Sequence, residues 1–165
     1  MNLKPSTLSR IETVIPRYAQ KRSALLPLLH LIQEDQGYIS KAAMEWIAQK
    51  LDLPPIQVLE TLTFYPMFRQ HPIGKTHIKV CRTLSCHLLG ADKTCQTFQD
   101  AFNTRLNEIS PDGTVTIEYV ECLANCDKAP TVMINETLHN QVTPEKAVQL
   151  AGEIKENHTK NPTHN

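Results

Sequence analysis

Thr76-His-Ile-Lys-Val-Cys81-Arg-Thr-Leu-Ser-Cys86 is the stretch on which the reading of this chain turns. Its first six residues alternate polar and apolar, the period of a half-buried β-strand. A cysteine closes that strand, and a second follows after four residues. Further on, Thr114-Val-Thr-Ile-Glu-Tyr-Val120 alternates in the same way and runs into Cys122-Leu-Ala-Asn-Cys126. Between the two pairs, Ala91 to Leu106 can form a helix with Phe98, Ala101 and Phe102 on one face. If the two strands are parallel neighbours, joined by the usual right-handed crossover, the two cysteine loops lie side by side. Both cysteine pairs then leave the carboxyl ends of strands, where open α/β sheets place ligands.

The rest of the chain fits around this unit. Pro111-Asp112-Gly113 is a strong turn signal before the second strand. Thr131 to Asn135 reads as a third strand and Leu138 to Val142 as its hairpin mate. Thr143 caps and Pro144 opens a last helix to about Glu156, with Ala147, Leu150, Ala151 and Ile154 inward. Upstream, the periodicity predicts four helices. One spans roughly Leu8 to Tyr18. Another carries Leu25, Leu28, Leu29 and Ile32 on one stripe and stops at Gly37. A third is capped by Ser40 and runs through Leu51, with Met44, Ile47 and Leu51 on one side. The fourth opens at Pro54-Pro55 and buries Val58, Leu59, Leu62 and Tyr65. The fold class expected is α/β: an N-terminal helical bundle (1–73) followed by a β-α-β-β-β-α domain of thioredoxin-like plan (74–157). Residues 158–165 have nothing to bury and are expected to be a disordered tail.

Composition bounds the function. The chain has 165 residues and is 41% hydrophobic, enough to bury a core. No apolar run approaches the roughly 18 residues of a membrane span. Seventeen basic residues balance seventeen acidic ones, which argues against nucleic acid as a partner. The segment from Met1 reads as neither a secretory signal nor a transit peptide. With an odd count of five cysteines, the pairs read as thiols of a reducing compartment rather than a disulfide framework.

Two cysteine pairs on two adjacent loops suit an inorganic centre. A [2Fe-2S] cluster takes four thiolates, two for each iron. Four thiolates also satisfy tetrahedral zinc, whose paired ligands are usually separated by two to four residues, so spacing alone leaves zinc open. A thioredoxin-type dithiol uses Cys-x-x-Cys, and neither pair has two intervening residues. Cys95, on the expected helix, reads as a small buried hydrophobe. His87 directly follows a cysteine, but Rieske ligation places histidine two residues on, and four cysteines already complete a set. Asp127 and Asn125 read as loop-fixing residues.

The words around the cysteines carry a resemblance. Phe64-Tyr65-Pro-Met-Phe68, Gly74, Val80-Cys81-Arg-Thr-Leu-Ser-Cys86-His-Leu-Leu-Gly90 and Cys122-Leu-Ala-Asn-Cys126-Asp-Lys-Ala-Pro130 occur in one order. Together with Leu28-Leu-His-Leu-Ile-Gln-Glu-Asp-Gln-Gly37-Tyr-Ile, they resemble the small thioredoxin-like [2Fe-2S] subunit of NADH:quinone oxidoreductase, respiratory complex I. The resemblance implies one [2Fe-2S] cluster per chain on Cys81, Cys86, Cys122 and Cys126, with no catalytic residue and no NADH or flavin site of its own. It implies as partners the FMN- and NADH-binding subunit and the large iron–sulfur subunit. The location it implies is cytoplasmic, peripheral on the inner face of a bacterial membrane through the complex. Small subunits of NAD-linked formate dehydrogenases and hydrogenases look alike, and a zinc-stabilised interaction module is the alternative of another class. Arg82 and Lys128, next to ligands, are expected to raise the cluster's potential, helped by backbone N–H groups and the amino end of the helix after Cys86. One departure stands out: Ala124 occupies a position where the family usually has glycine. If that position needs a positive φ, alanine costs about 1 kcal/mol.

Overall fold

The computed structural model describes residues 2–160, which form two compact units, divided between residues 72 and 73. The first unit is helical: α1 (Pro5–Val14), α2 (Leu25–Gln36), α3 (Lys41–Leu51) and α4 (Pro55–Phe64). The first helix starts earlier and ends sooner than its apolar spacing predicts. Pro5 supplies a preset φ at the first turn. Pro16 offers no N–H to the helical ladder, and the chain tightens into a 3₁₀ turn over Ile15–Arg17. The stripe Leu25, Leu28, Leu29 and Ile32 is buried as expected, and Gly37 ends α2 with a left-handed φ of 82°. Ser40 caps α3 through its Oγ, which accepts from the Ala43 N–H at 3.1 Å. Ile11, Ile47, Leu51, Val58 and Leu62 close the core, with Met44 and Tyr65 half-buried against it. Each such side chain contributes about 1.5–3 kcal/mol, far more than any cap.

The second unit is a four-stranded sheet with helices. Strand β1 (Thr76–Cys81) lies between β2 (Val115–Val120), parallel to it, and β3 (Val132–Ile134), antiparallel; β4 (Thr137–His139) completes the order β2-β1-β3-β4. The parallel pair joins through α5 (Leu84–Leu88) and α6 (Ala91–Phe102), and α7 (Pro144–Lys160) packs on α6. Ile78, Val80, Phe98, Val115, Ile117 and Ala147 fill the core between sheet and helices. This is the expected α/β, thioredoxin-like arrangement.

Local differences have local causes. A separate five-residue helix, α5, forms where only a loop was expected, and it contains Cys86 itself. The next helix ends at Phe102 rather than Leu106 because Asn103 turns left-handed (φ 47°), a conformation asparagine tolerates. The hairpin is tighter than expected. Asn135 (φ 53°) turns the chain so that Ile134 faces Thr137, which places β4 at 137–139 instead of 138–142. Helix α7 passes Glu156 and continues to Lys160, with His158 Nε2 2.9 Å from Thr76 Oγ1. The expected tail is therefore helical through Lys160, and 161–165 lie outside the described residues.

Candidate metal centre

Strands β1 and β2 run in register, with Cys81 opposite Val120. The backbone continues the pairing one residue further, the Arg82 N–H donating to the Val120 carbonyl at 3.1 Å. The chain after β1 and the chain after β2 thus depart from the same end of the sheet, and this juxtaposition brings together two cysteine pairs with 35 residues between them. Cys81 and Cys86 are buried, while Cys122 and Cys126 are exposed, and all are free thiols. Cys122 Sγ and Cys126 Sγ are 3.5 Å apart. Cys81 and Cys86 are also within hydrogen-bonding reach of each other, and Cys81 acts electrostatically on Cys122 and Cys126. Four sulfurs share one electrostatic site as two pairs. Among the described residues, no three His, Cys, Asp or Glu side chains gather closely enough for a single metal ion.

Each pair holds one thiol that ionises more readily than its mate. Burial acts to raise the Cys81 thiol, but the Thr83 hydroxyl, 3.1 Å away, and the Thr83 and Leu123 backbones outweigh it, and the net shift is downward. Cys86, also buried, stays above its usual value despite a backbone hydrogen bond from Thr131, because burial is joined by the opposition of an ionised Cys81. In the second loop the Ala124 N–H donates to Cys122 Sγ at 3.3 Å and lowers that thiol. Cys126 is raised, chiefly by Cys122 beside it. Four thiolates this close repel one another, so the set is matched to a cation-rich centre that neutralises them.

The loops are braced from several sides. Arg82 Nε and Nη2 donate to Glu121 Oε1 at 3.0 and 2.6 Å, joining the residue after Cys81 to the residue before Cys122. The Arg82 charge expected to face the cluster is therefore shared with a carboxylate. Asn125 Nδ2 donates to Asn140 Oδ1 at 2.6 Å and to Thr131 Oγ1 at 3.3 Å. Asn125 thus fixes the loop as expected, through side chains rather than backbone; no hydrogen bond from the Asp127 side chain is seen among the described residues. Lys128 is exposed. His87 turns to Asp92, Nδ1 lying 3.0 Å from Oδ2. Cys95 is fully buried in the core, where burial raises its thiol. Contrary to expectation, the long helix after Cys86 does not open on the thiols, since α5 intervenes before α6 begins at Ala91. Ala124 does take the left-handed backbone anticipated for it, at φ 56°. Thr83, Thr131, Asn140 and Asp92 are the site residues that the sequence reading passed over; of these only Thr83, two residues past a cysteine, carried a local signal.

A parallel β1–β2 pair that delivers four free thiols from two adjoining loops defines a thioredoxin-like domain with a four-thiol site. The chain belongs to the thioredoxin-like [2Fe-2S] ferredoxin family, whose pattern matches residues 11–155. Membership carries the family's cofactor, a [2Fe-2S] cluster. An NADH-quinone oxidoreductase subunit of Mycobacterium tuberculosis (strain ATCC 25618 / H37Rv) is 36% identical over 163 residues, covering 96% of this chain and 65% of that protein. The chain thus spans a little under two thirds of the mycobacterial relatives it matches. The same subunit from Rickettsia bellii (strain RML369-C) is 36% identical over 151 residues, 90% of each chain. Among solved structures, an air-oxidized NAD+-reducing [NiFe]-hydrogenase shares the fold at a TM-score of 0.69, with 22% identity over 81% of this chain and 23% of that one. Among the described residues, no helix is long and apolar enough to cross a membrane.

Proposed function

We propose that the chain is the electron-transfer subunit of an NADH-oxidising, quinone-reducing complex, holding its [2Fe-2S] cluster through Cys81, Cys86, Cys122 and Cys126. The observation that carries this reading is the meeting of two thiol pairs on adjoining loops at one end of the β1–β2 pair. A donor set of four soft thiolates, presented as two pairs, fits a centre whose two irons each take two sulfurs. When bound, such a cluster accepts and returns one electron. The chain's residues govern how readily it does so. Thr83, Ala124 and the Thr131 backbone offer donors to sulfur, and donors to sulfur favour the more negative, reduced state. Burial of Cys81 and Cys86 excludes water from one side, while exposure of Cys122 and Cys126 leaves the other side open to an electron donor or acceptor.

The names of the relatives support membership in NADH-quinone oxidoreductase. A flavin- and NADH-binding subunit and a large iron–sulfur subunit as neighbours, on the cytoplasmic face of the membrane, are part of the proposal. The hydrogenase likeness supports the same domain in another NAD-linked assembly, through fold alone. Beside Cys86, Leu84, Leu88 and Leu89 are 72%, 72% and 61% exposed, an apolar rim suited to a protein partner.

Anaerobic iron, sulfide and zinc analysis, followed by EPR of the dithionite-reduced protein, tests the reading. About two irons and two sulfides per chain and a rhombic S = 1/2 signal, altered or lost on Cys122→Ser, are expected. Stoichiometric zinc without an EPR signal would instead make the chain a zinc-stabilised interaction module.

A further inference from the structure

Helix α5 poses a mechanical question. It is five residues long, and Cys86 is its one buried residue. Leu84 and Leu88, with Leu89 just beyond, face outward, so hydrophobic burial does little to seat it. Its backbone bonds are local: His87 N–H to Thr83, Leu89 N–H to Ser85, Gly90 N–H to His87. The Cys86 sulfur accepts a backbone hydrogen bond from Thr131 and lies within reach of Cys81, and Ser85 lies within reach of Cys126; a further tie to the rest of the domain runs through the side chain of Asp92. Asp92, in the first turn of α6, accepts from the Tyr119 hydroxyl at Oδ1 (3.0 Å), and its Oδ2 lies 3.0 Å from His87 Nδ1. A carboxylate there is also favoured by the amino end of a twelve-residue helix. Tyr119 stands on β2 opposite Val80, three residues before Cys122, and its ring packs on the core. One carboxylate thus bridges the residue after Cys86 to the strand that delivers Cys122.

We propose that Asp92 is the positioning residue of the thiol cage, clasping α5 to β2 and thereby fixing Cys86 relative to Cys122. Its bearing on the cluster rests on the ligand assignment above; its bearing on Cys86 does not. Removing the clasp frees α5 to open locally and exposes a thiol that is otherwise 2% accessible. Cys95, equally buried in the same unit but inside α6, opens only with the core.

The experiment is alkylation of the metal-free full chain by iodoacetamide under native conditions, read at Cys86 and Cys95 by peptide mass spectrometry. Asp92→Ala should speed Cys86 by about three- to ten-fold, the range for losing a partly exposed polar contact, and by more than Cys95, whose thiol also feels Asp92 and Tyr119 directly. Tyr119→Phe, which keeps the ring in the core, and Asp92→Asn, which accepts at one atom only, should fall between. An unchanged Cys86 rate in Asp92→Ala and Tyr119→Phe overturns the clasp, as does a parallel rise at Cys95. The iron-loaded variants should lose iron to a chelator faster in the same order, with a shifted EPR line shape. Faster Cys86 alkylation without faster iron loss overturns the step from thiol to cluster. A wild-type chain that takes up no iron would remove the ligand assignment, while the alkylation order would still decide the clasp.

Discussion

Ala124 carries two duties at one position. Its N–H donates to Cys122 Sγ, and its backbone must turn left-handed at φ 56° to do so. A left-handed L-residue costs about 1–2 kcal/mol, and glycine's extra freedom in the unfolded chain returns about half of any relief. Ala124→Gly should therefore stabilise the metal-free protein by about 0.5–1 kcal/mol, a rise of about 2–4 °C in Tm, with the EPR signal of the loaded protein unchanged. A lower Tm would mean that the alanine methyl packs better than its backbone suffers. Arg82 and Glu121 form the second residue-scale case. A surface charge beside a ligand interacts with the added electron by roughly 0.5–1 kcal/mol, or about 20–40 mV for a one-electron couple. Arg82→Gln should lower the midpoint by about that much, Glu121→Gln should raise it, and the double variant should return close to wild type. Two shifts of the same sign by redox titration would show that the ion pair does not set the local field. At this scale the sequence was half legible. The position needing a positive φ could be flagged only through the family resemblance, in which glycine usually stands where this chain has Ala124. The partner of Arg82 could not, because Glu121 lies 39 residues away and meets it only through strand pairing.

At the scale of elements, the parallel β1–β2 pair makes the site, and Gly74 is what lets it form. A Cβ at Gly74 would sit 2.5 Å from the Val115 nitrogen and 2.7 Å from the Thr114 and Val115 carbonyl carbons, all backbone with no room to yield. The Gly74 N–H also donates to Thr116 Oγ1 at 2.8 Å. Gly74→Ala should then cost about 2–3 kcal/mol by prying apart the strand entry, and the reconstituted cluster should be lost faster. Unchanged denaturant midpoint and cluster half-life would place the strand contact elsewhere. The strands themselves were legible, since period-two alternation in Thr76–Cys81 and Val115–Val120 has a single structural reading. Helix α5 was not. Five residues are too few to show a period, and Leu84, Leu88 and Leu89, the apolar residues that would betray a buried face, point to solvent instead. The ends of α6 and β4 were missed for a different reason: Asn103 and Asn135 turn left-handed, a choice that composition permits but does not announce.

For the molecule as a whole, the balance of charge and the distribution of apolar surface have to be read together. Seventeen basic and seventeen acidic residues leave no net field to steer a partner from a distance. Recognition then depends on contact chemistry, and Leu84, Leu88 and Leu89, beside Cys86 in the chain, are exposed apolar residues. Because these side chains are already solvated, replacing them removes nothing from the folded core, so folding and docking can be separated. Leu84→Ser with Leu88→Ser should leave Tm, iron content and the EPR signal at wild-type values. Each leucine buried at an interface contributes about 1–2 kcal/mol, so together the two changes should weaken association with the flavin-bearing subunit by at least roughly ten-fold. Copurification from cells making both chains, followed by titration of the purified pair, measures this. Full affinity in the double variant would mean that the rim beside Cys86 faces solvent in the assembly and that the electron enters from the Cys122–Cys126 side. Loss of the EPR signal would instead show that α5 needs its outward leucines to hold Cys86 in place.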